Sequence, residues 1–278
     1  MSDAPADLKV PDSALVNSGE VVAVINQKGG SGKTTTAVTL AAYLASQGVP
    51  VDLVDADKQD GSATEWLPPQ WEEVPIRRRW DLSHVLLEET DYDSALWPTD
   101  VEGPLSILPS FESLEQFELK QAGGKDFLLQ EAMENSKRRV GVTIIDAPPN
   151  LGQVTFTCLA AASAVIIPTR IGGLDMKGVA QLNKTVSRVR RLNPKQRTVA
   201  LLVVDRQKSN LTDDVADQLA ADYPEALQGS ISHTVRVGEA PYAQEPLTTF
   251  APSSNAMQDY KAVADALFAP VLQEWASE

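Results

Sequence analysis

Two lysines five positions apart, Lys28 and Lys33, flank a run of glycines whose make-up suits the binding of a polyphosphate. Gly29, Gly30 and Gly32 leave the backbone free to turn its N–H groups inward as a concave anion nest, and Ser31 adds a small polar side chain. Lys33 can reach β- and γ-phosphates, the Thr34 hydroxyl can ligate Mg²⁺, and Thr35 is placed to donate to an α-phosphate. Two acids complete the set. Asp57 stands in Asp55-Ala56-Asp57-Lys58-Gln59, and Asp146 precedes Ala147-Pro148-Pro149-Asn150. An acid at the tip of a buried strand can hold Mg²⁺ through water, and Asp57 and Asp146 both stand ready for that. The chemistry expected of these residues is Mg²⁺-dependent hydrolysis of a nucleoside triphosphate.

Such groups need rigid elements to hold them. The apolar run 21–25 reads as a buried strand, and residues 34–45 carry a helical period, with Val38, Leu40, Ala41, Leu44 and Ala45 on one stripe. Strand, glycine loop and helix in that order are the context in which a G-x-x-x-x-G-K-S/T match becomes a site. The strict pattern wants glycine at position 27, where the chain has Gln27. Further apolar strands are expected at 49–54, 105–110, 142–145, 164–168 and 199–204. Helices are expected near 81–88, 127–137, 155–162, 174–192, 212–222 and 254–275. Strands alternating with helices predict an α/β fold: a doubly wound, mostly parallel sheet with helices on both faces.

Length allows one large α/β domain or two small ones, and the motifs favour one P-loop ATPase domain over residues 20–278. Residues 1–19, rich in Ala, Asp, Pro and Ser, read as a disordered arm, and 66–103 is the least regular stretch. The single cysteine, Cys158, excludes an intramolecular disulfide and reads as a small core residue. No apolar run approaches the roughly eighteen residues of a membrane span, and the acidic N-terminus is unlike a signal peptide, so a cytoplasmic protein is expected. The net charge of −14 opposes long-range attraction to DNA or anionic lipid. Trp66, Trp71, Trp80 and Trp97 read as core or interface anchors. Arg77-Arg78-Arg79 reads as a solvated face rather than a nucleic-acid platform.

Lys28-Gly29-Gly30-Ser31-Gly32-Lys33-Thr34 resembles the deviant Walker A motif, KGGxGKS/T, of the ParA/MinD class of P-loop ATPases. The resemblance implies that Lys28 reaches across an ATP-bound homodimer to the partner's phosphates. Residues 55–59 resemble that class's switch I, D-x-D-x-Q, in which Asp57 would orient the attacking water and Gln59 would support it. Lys58 stands where proline is frequent, and Asp55 remains the competing carboxylate. Residues 146–152 resemble switch II. The acidic tail Pro270–Glu278 is unlike the basic amphipathic helix of the MinD branch, so no membrane partner is expected. Within the ParA branch, the resemblance implies ATP and Mg²⁺ as cofactors and nonspecific DNA as a partner of the dimer. It also implies a ParB-type adaptor on DNA or cargo that stimulates hydrolysis, and nucleoid association in the ATP state. DNA contacts would fall on Arg206 and Arg236, with His233 where arginine is frequent. The alternative is an ATP-gated scaffold that acts through protein partners with little DNA binding.

Overall fold

The apolar runs assemble into one eight-stranded sheet of order β3-β4-β2-β5-β1-β6-β7-β8. A computed structural model describes residues 8, 10–59, 61–119, 124–150, 152–170, 187, 191, 193–194, 196–206, 221 and 223–277. The strands are β1 Glu20–Val24, β2 Val51–Asp55, β3 Trp97–Pro98, β4 Leu105–Leu108, β5 Val142–Asp146, β6 Ala164–Arg170, β7 Arg197–Arg206 and β8 Leu227–Ser232. All pairings are parallel except β3 with β4. Central strands buried on both faces explain the unbroken apolar runs: Val22 and Val24 enter one core layer, Ala23 and Ile25 the other.

The first layer holds α1 Lys33–Ser46, and the second holds α3 Leu82–Leu86, α4 Leu114–Leu119, α5 Leu128–Glu134 and α6 Gln153–Ala161. Between α1 and α3 lies the one-turn α2 Ala63–Trp66, which ends before Pro68-Pro69. In α5 the fully buried residue is Leu129, while Leu128, Ala132 and Met133 pack at its margin. Beyond β8 come α7 Arg236–Ala243, α8 Leu247–Phe250, α9 Asn255–Leu267 and α10 Ala269–Trp275. The expected single helix over 254–275 is thus two helices. Pro270 lacks the N–H a continuous helix would need, and it occupies the first turn of the second. Expected helices at 174–192 and 212–222 lie outside the described residues, apart from Ser187, Arg191 and Ala221.

Residues 10–19 differ from the disordered reading. Ala14 and Val16 are fully buried, and the Val16 N–H donates to the Leu267 carbonyl at 2.9 Å. The Arg197 guanidinium clamps the segment from outside, donating to the Ser13 and Leu15 carbonyls while pairing with Glu20 at 2.7 Å. Two anchoring side chains are too few to create a periodic signal, yet enough to hold a short segment against a helix end. The stretch 68–98 wraps the sheet margin, with the Gln70 N–H on the Pro98 carbonyl at 2.9 Å. Trp71 stacks on Phe111 and meets Trp97 edge-on, and Arg79 lies over Trp71. Trp66 is buried and donates its indole N–H to the Glu245 carbonyl. The tryptophans are therefore anchors, as expected, while Arg77 and Arg78 are exposed. Among the described residues no helix is long and apolar enough to cross a membrane.

Candidate active site

The loop between β1 and α1 is fixed from below by Asn26. This fully buried side chain donates to the Pro168 carbonyl at 2.8 Å and accepts from the Lys28 N–H at 3.1 Å. Gly30 (φ +68°) and Gly32 (φ +90°) turn through the left-handed region that side chains resist, and Gly32 is the residue from which α1 starts. A β-carbon at Gly32 would also lie 3.0 Å from the Val204 side chain. The loop therefore presents unpaired amides at the positive end of a fourteen-residue helix. Lys33 is buried within it, whereas Lys28 stands exposed on its outer turn. The Ser31 hydroxyl is buried without a hydrogen-bond partner.

Opposite the loop, parallel pairing places Asp55 and Asp146 side by side at the ends of β2 and β5. Asp146 is fully buried, and neither carboxylate oxygen has a hydrogen-bond partner of normal geometry. Burial, followed by repulsion from Asp55, holds its pKa well above the carboxylate range, against the opposing pull of the Thr34 hydroxyl and the Lys33 ammonium. Asp55 is raised to about 6, chiefly by burial and against hydrogen bonds from Thr64. Its two oxygens are engaged by the Thr64 N–H and hydroxyl and by the Asp57 N–H. Thr64 in turn accepts from the Ser110 N–H at 3.0 Å, so Asp55 braces three segments. Asp57 accepts from the Gln59 N–H at 3.2 Å, and it lines the phosphate cleft. Its pKa is also raised by burial, opposed by that N–H and by Lys33.

This cleft, about 240 Å³, brings together Gly29, Gly30, Gly32, Lys33, Thr34, Thr35, Asp57 and Gln59. A buried carboxylate with both oxygens orphaned, beside a hydroxyl and an ammonium, fits a hydrated divalent cation. Thr34 and Asp146 would hold Mg²⁺, with Asp57 reaching its water shell. Among the described residues no three His, Cys, Asp or Glu side chains gather into a metal cage. Mg²⁺ with few protein ligands and several phosphate oxygens and waters is the usual arrangement.

Sequence reasoning missed the space on the other side of the loop. A chamber of about 480 Å³ shares Gly30, Gly32 and Thr35 with the cleft and is walled by Val204, Ile231, Val237, Pro241 and Tyr260. Asp205, in the left-handed region at φ +60°, stands at its mouth paired with Arg170 and His233. Its apolar walls and continuity with the cleft suit a nucleoside.

The two expected DNA residues stand differently. Arg236 opens α7, exposed, with its guanidinium on Glu239 at 2.9 Å. Arg206 ends β7, and its side chain lies outside the described residues. Another cavity, of about 620 Å³, lies elsewhere; Glu88, Glu89, Asp91 and Glu131 are among the residues that line it, a setting that repels phosphate.

A family model described as an AAA domain matches residues 19–198. The chromosome partitioning protein ParA of Caulobacter vibrioides is 34% identical over 242 residues, covering 84% of this chain and 88% of that protein. The chromosome-partitioning ATPase Soj of Thermus thermophilus is 34% identical over 253 residues, covering 90% and 96%. Among solved structures, cobyrinic acid a,c-diamide synthase from Mycobacterium smegmatis, with bound ATP analogue and magnesium, aligns at a TM-score of 0.71. It is 31% identical, and the match covers 93% of this chain and 96% of that one.

Proposed function

The chain belongs to the ParA/Soj family of P-loop ATPases, which hydrolyse ATP with Mg²⁺, and from that premise we propose a partition or positioning ATPase whose nucleotide state switches a homodimer on and off DNA. The observation that carries the site is Asp146: a fully buried carboxylate whose oxygens lack a hydrogen-bond partner of normal geometry, beside Lys33 and Thr34. Lys33 and the loop amides bind the β- and γ-phosphates, and Thr35 donates to the α-phosphate. The base rests in the apolar chamber. Thr34 and Asp146 hold Mg²⁺, which when bound neutralises phosphate charge. Asp57 orients the attacking water; Asp55, its oxygens already engaged, keeps Asp57 in place.

Lys28 acts in trans. A buried lysine and an exposed one on the same loop suit two tasks, the first within the protomer and the second across an interface. There Lys28 stabilises charge at the partner's γ-phosphoryl group, in the manner of an arginine finger. Dimerisation doubles any DNA-binding patch that includes Arg206 and Arg236, so binding follows ATP. A ParB-type adaptor then stimulates hydrolysis and release. The membrane plays no part.

Asp57→Ala tests this reading by light scattering and DNA retention at low salt. It should accumulate an ATP-bound dimer that holds DNA with ATP and releases it with ADP. A monomer under both nucleotides would refute the switch. A second reading, a scaffold acting through protein partners, is favoured by the −14 net charge and by the Arg236–Glu239 pair. An ATP dimer without DNA retention at any salt would select it.

A further inference from the structure

Lys58 departs from the family pattern inside the loop that carries Asp57, and its side chain has a defined place. The ammonium bridges two carboxylates of α4, Glu115 at 2.8 Å and Glu118 at 3.3 Å. Only about a quarter of the Lys58 side chain is exposed, and Glu118 is similarly covered (26% and 28%). Glu118 also touches the second nucleotide-facing loop. Its other carboxylate oxygen packs against Gly152, where a β-carbon would come within 2.9 Å of it. The Gly152 N–H meanwhile donates to the Asn150 side chain at 2.9 Å. One carboxylate therefore sits between the segment after Asp57 and the segment after Asp146.

A proline at this position would stiffen the loop through its own ring and nothing else. A lysine leaves the backbone freer and fixes it through an ion pair to a neighbouring helix. We propose that Lys58 is a positioning residue for hydrolysis: its bridge to Glu115 and Glu118 holds the Asp57 loop against α4, in register with the loop beyond Asp146. The inference rests on the reading that Asp57 orients the attacking water. The tether contacts neither phosphate loop nor base chamber, so it acts on turnover and not on nucleotide capture. It is electrostatic and partly wet, so salt weakens it.

The test is steady-state ATP hydrolysis by the full chain, with variants Lys58→Met, Lys58→Arg and Asp57→Ala. Lys58→Met should lower kcat about fivefold with KM for ATP unchanged, and Lys58→Arg should restore most of it. Raising ionic strength should depress kcat in the parent and leave Lys58→Met nearly flat. Should Lys58→Met fold poorly, the paired change Glu115→Gln with Glu118→Gln removes the same bridge from the helix side and must give the same loss. A parental kcat in Lys58→Met, or in the paired variant, overturns the tether, as does a KM that rises in step with any loss. Asp57→Ala separates the two layers. Full turnover there overturns the role of Asp57 and the tether's purpose with it, whereas an inactive Asp57→Ala beside a fully active Lys58→Met overturns the tether alone.

Discussion

Asp146→Asn should stabilise the nucleotide-free protein while abolishing its chemistry. Asp146 is fully buried, its oxygens lack partners of normal geometry, and it shares its surroundings with Asp55 and Asp57 against one nearby ammonium, Lys33. Three carboxylates facing one cation leave the empty site with excess negative charge. Relieving one buried, unpartnered charge is worth about 2 kcal/mol. For a chain of this length that raises Tm by about 5 °C. The pH dependence follows from the raised pKa values. A carboxyl whose folded pKa exceeds its unfolded value binds its proton more tightly when folded. Its stabilising contribution is complete below the unfolded value and is lost as pH climbs through the folded one. For Asp55, raised to about 6, the loss spans roughly pH 4 to 7 and amounts to about 3 kcal/mol. Asp146 extends the loss in the same direction. Calorimetric melting without nucleotide, in the presence of a chelator, measures both effects. The parent should melt lower at pH 7.5 than at pH 5.5, with a smaller difference in Asp146→Asn. Mg²⁺ with ATP should raise the melting point of the parent and not of the variant, whose turnover should fall about 100-fold. A variant that melts below the parent in the absence of nucleotide, or shows the parent's full pH slope, would mean that the Asp146 charge is already compensated, and the metal-site reasoning would be wrong.

Lys28→Ala should bind nucleotide normally and lose adaptor-stimulated turnover; unaltered stimulated hydrolysis would remove the case for a role in trans. Arg236→Ala should weaken DNA retention with ATP and flatten the plot of log affinity against log salt by about one unit per protomer. An unchanged slope would place the DNA contact elsewhere. Gly103 and Gly124 make a matched pair for stability. Both have positive φ (+93° and +82°), but a β-carbon at Gly103 would fall 2.0 Å from the Ala45 carbonyl oxygen, and one at Gly124 meets nothing. Gly124→Ala should cost about 1 kcal/mol from its backbone alone, and Gly103→Ala about 3 kcal/mol or more in urea unfolding. Equal costs would show that the contact relaxes freely.

The centre of the fold was legible because its signals are local. β2 and β5 are short, largely apolar runs that each end in an aspartate, β1 is an apolar run leading into the glycine loop, and Gly30 and Gly32 lie where the chain turns through positive φ. Asp57 could be weighed against Asp55 by register only. In the structure Asp55 is engaged by Thr64 and the Asp57 N–H, whereas Asp57 borders the cleft. Long-range features left weaker traces. Strand β8 alternates buried and half-buried residues, and its importance comes from Ile231 meeting Val204 and Tyr260 around one chamber. The two-residue β3 is a strand only because it pairs with β4. Residues 10–19 are ordered by contacts to Leu267 and Arg197, far along the chain.

The separation of the site into a polar cleft and an apolar chamber, which share Gly30, Gly32 and Thr35, bears on how the protein could be inhibited. Triphosphate mimics compete for features common to every P-loop, and they inherit that lack of selectivity. A compact hydrophobic compound lodged among Val204, Ile231, Val237 and Tyr260 would instead meet walls assembled by strands β7 and β8 and helices α7 and α9 of this chain. It would displace the nucleoside proposed to rest there while leaving the glycine turn empty. Such a molecule would need no charge, and it could enter cells that exclude nucleotide analogues.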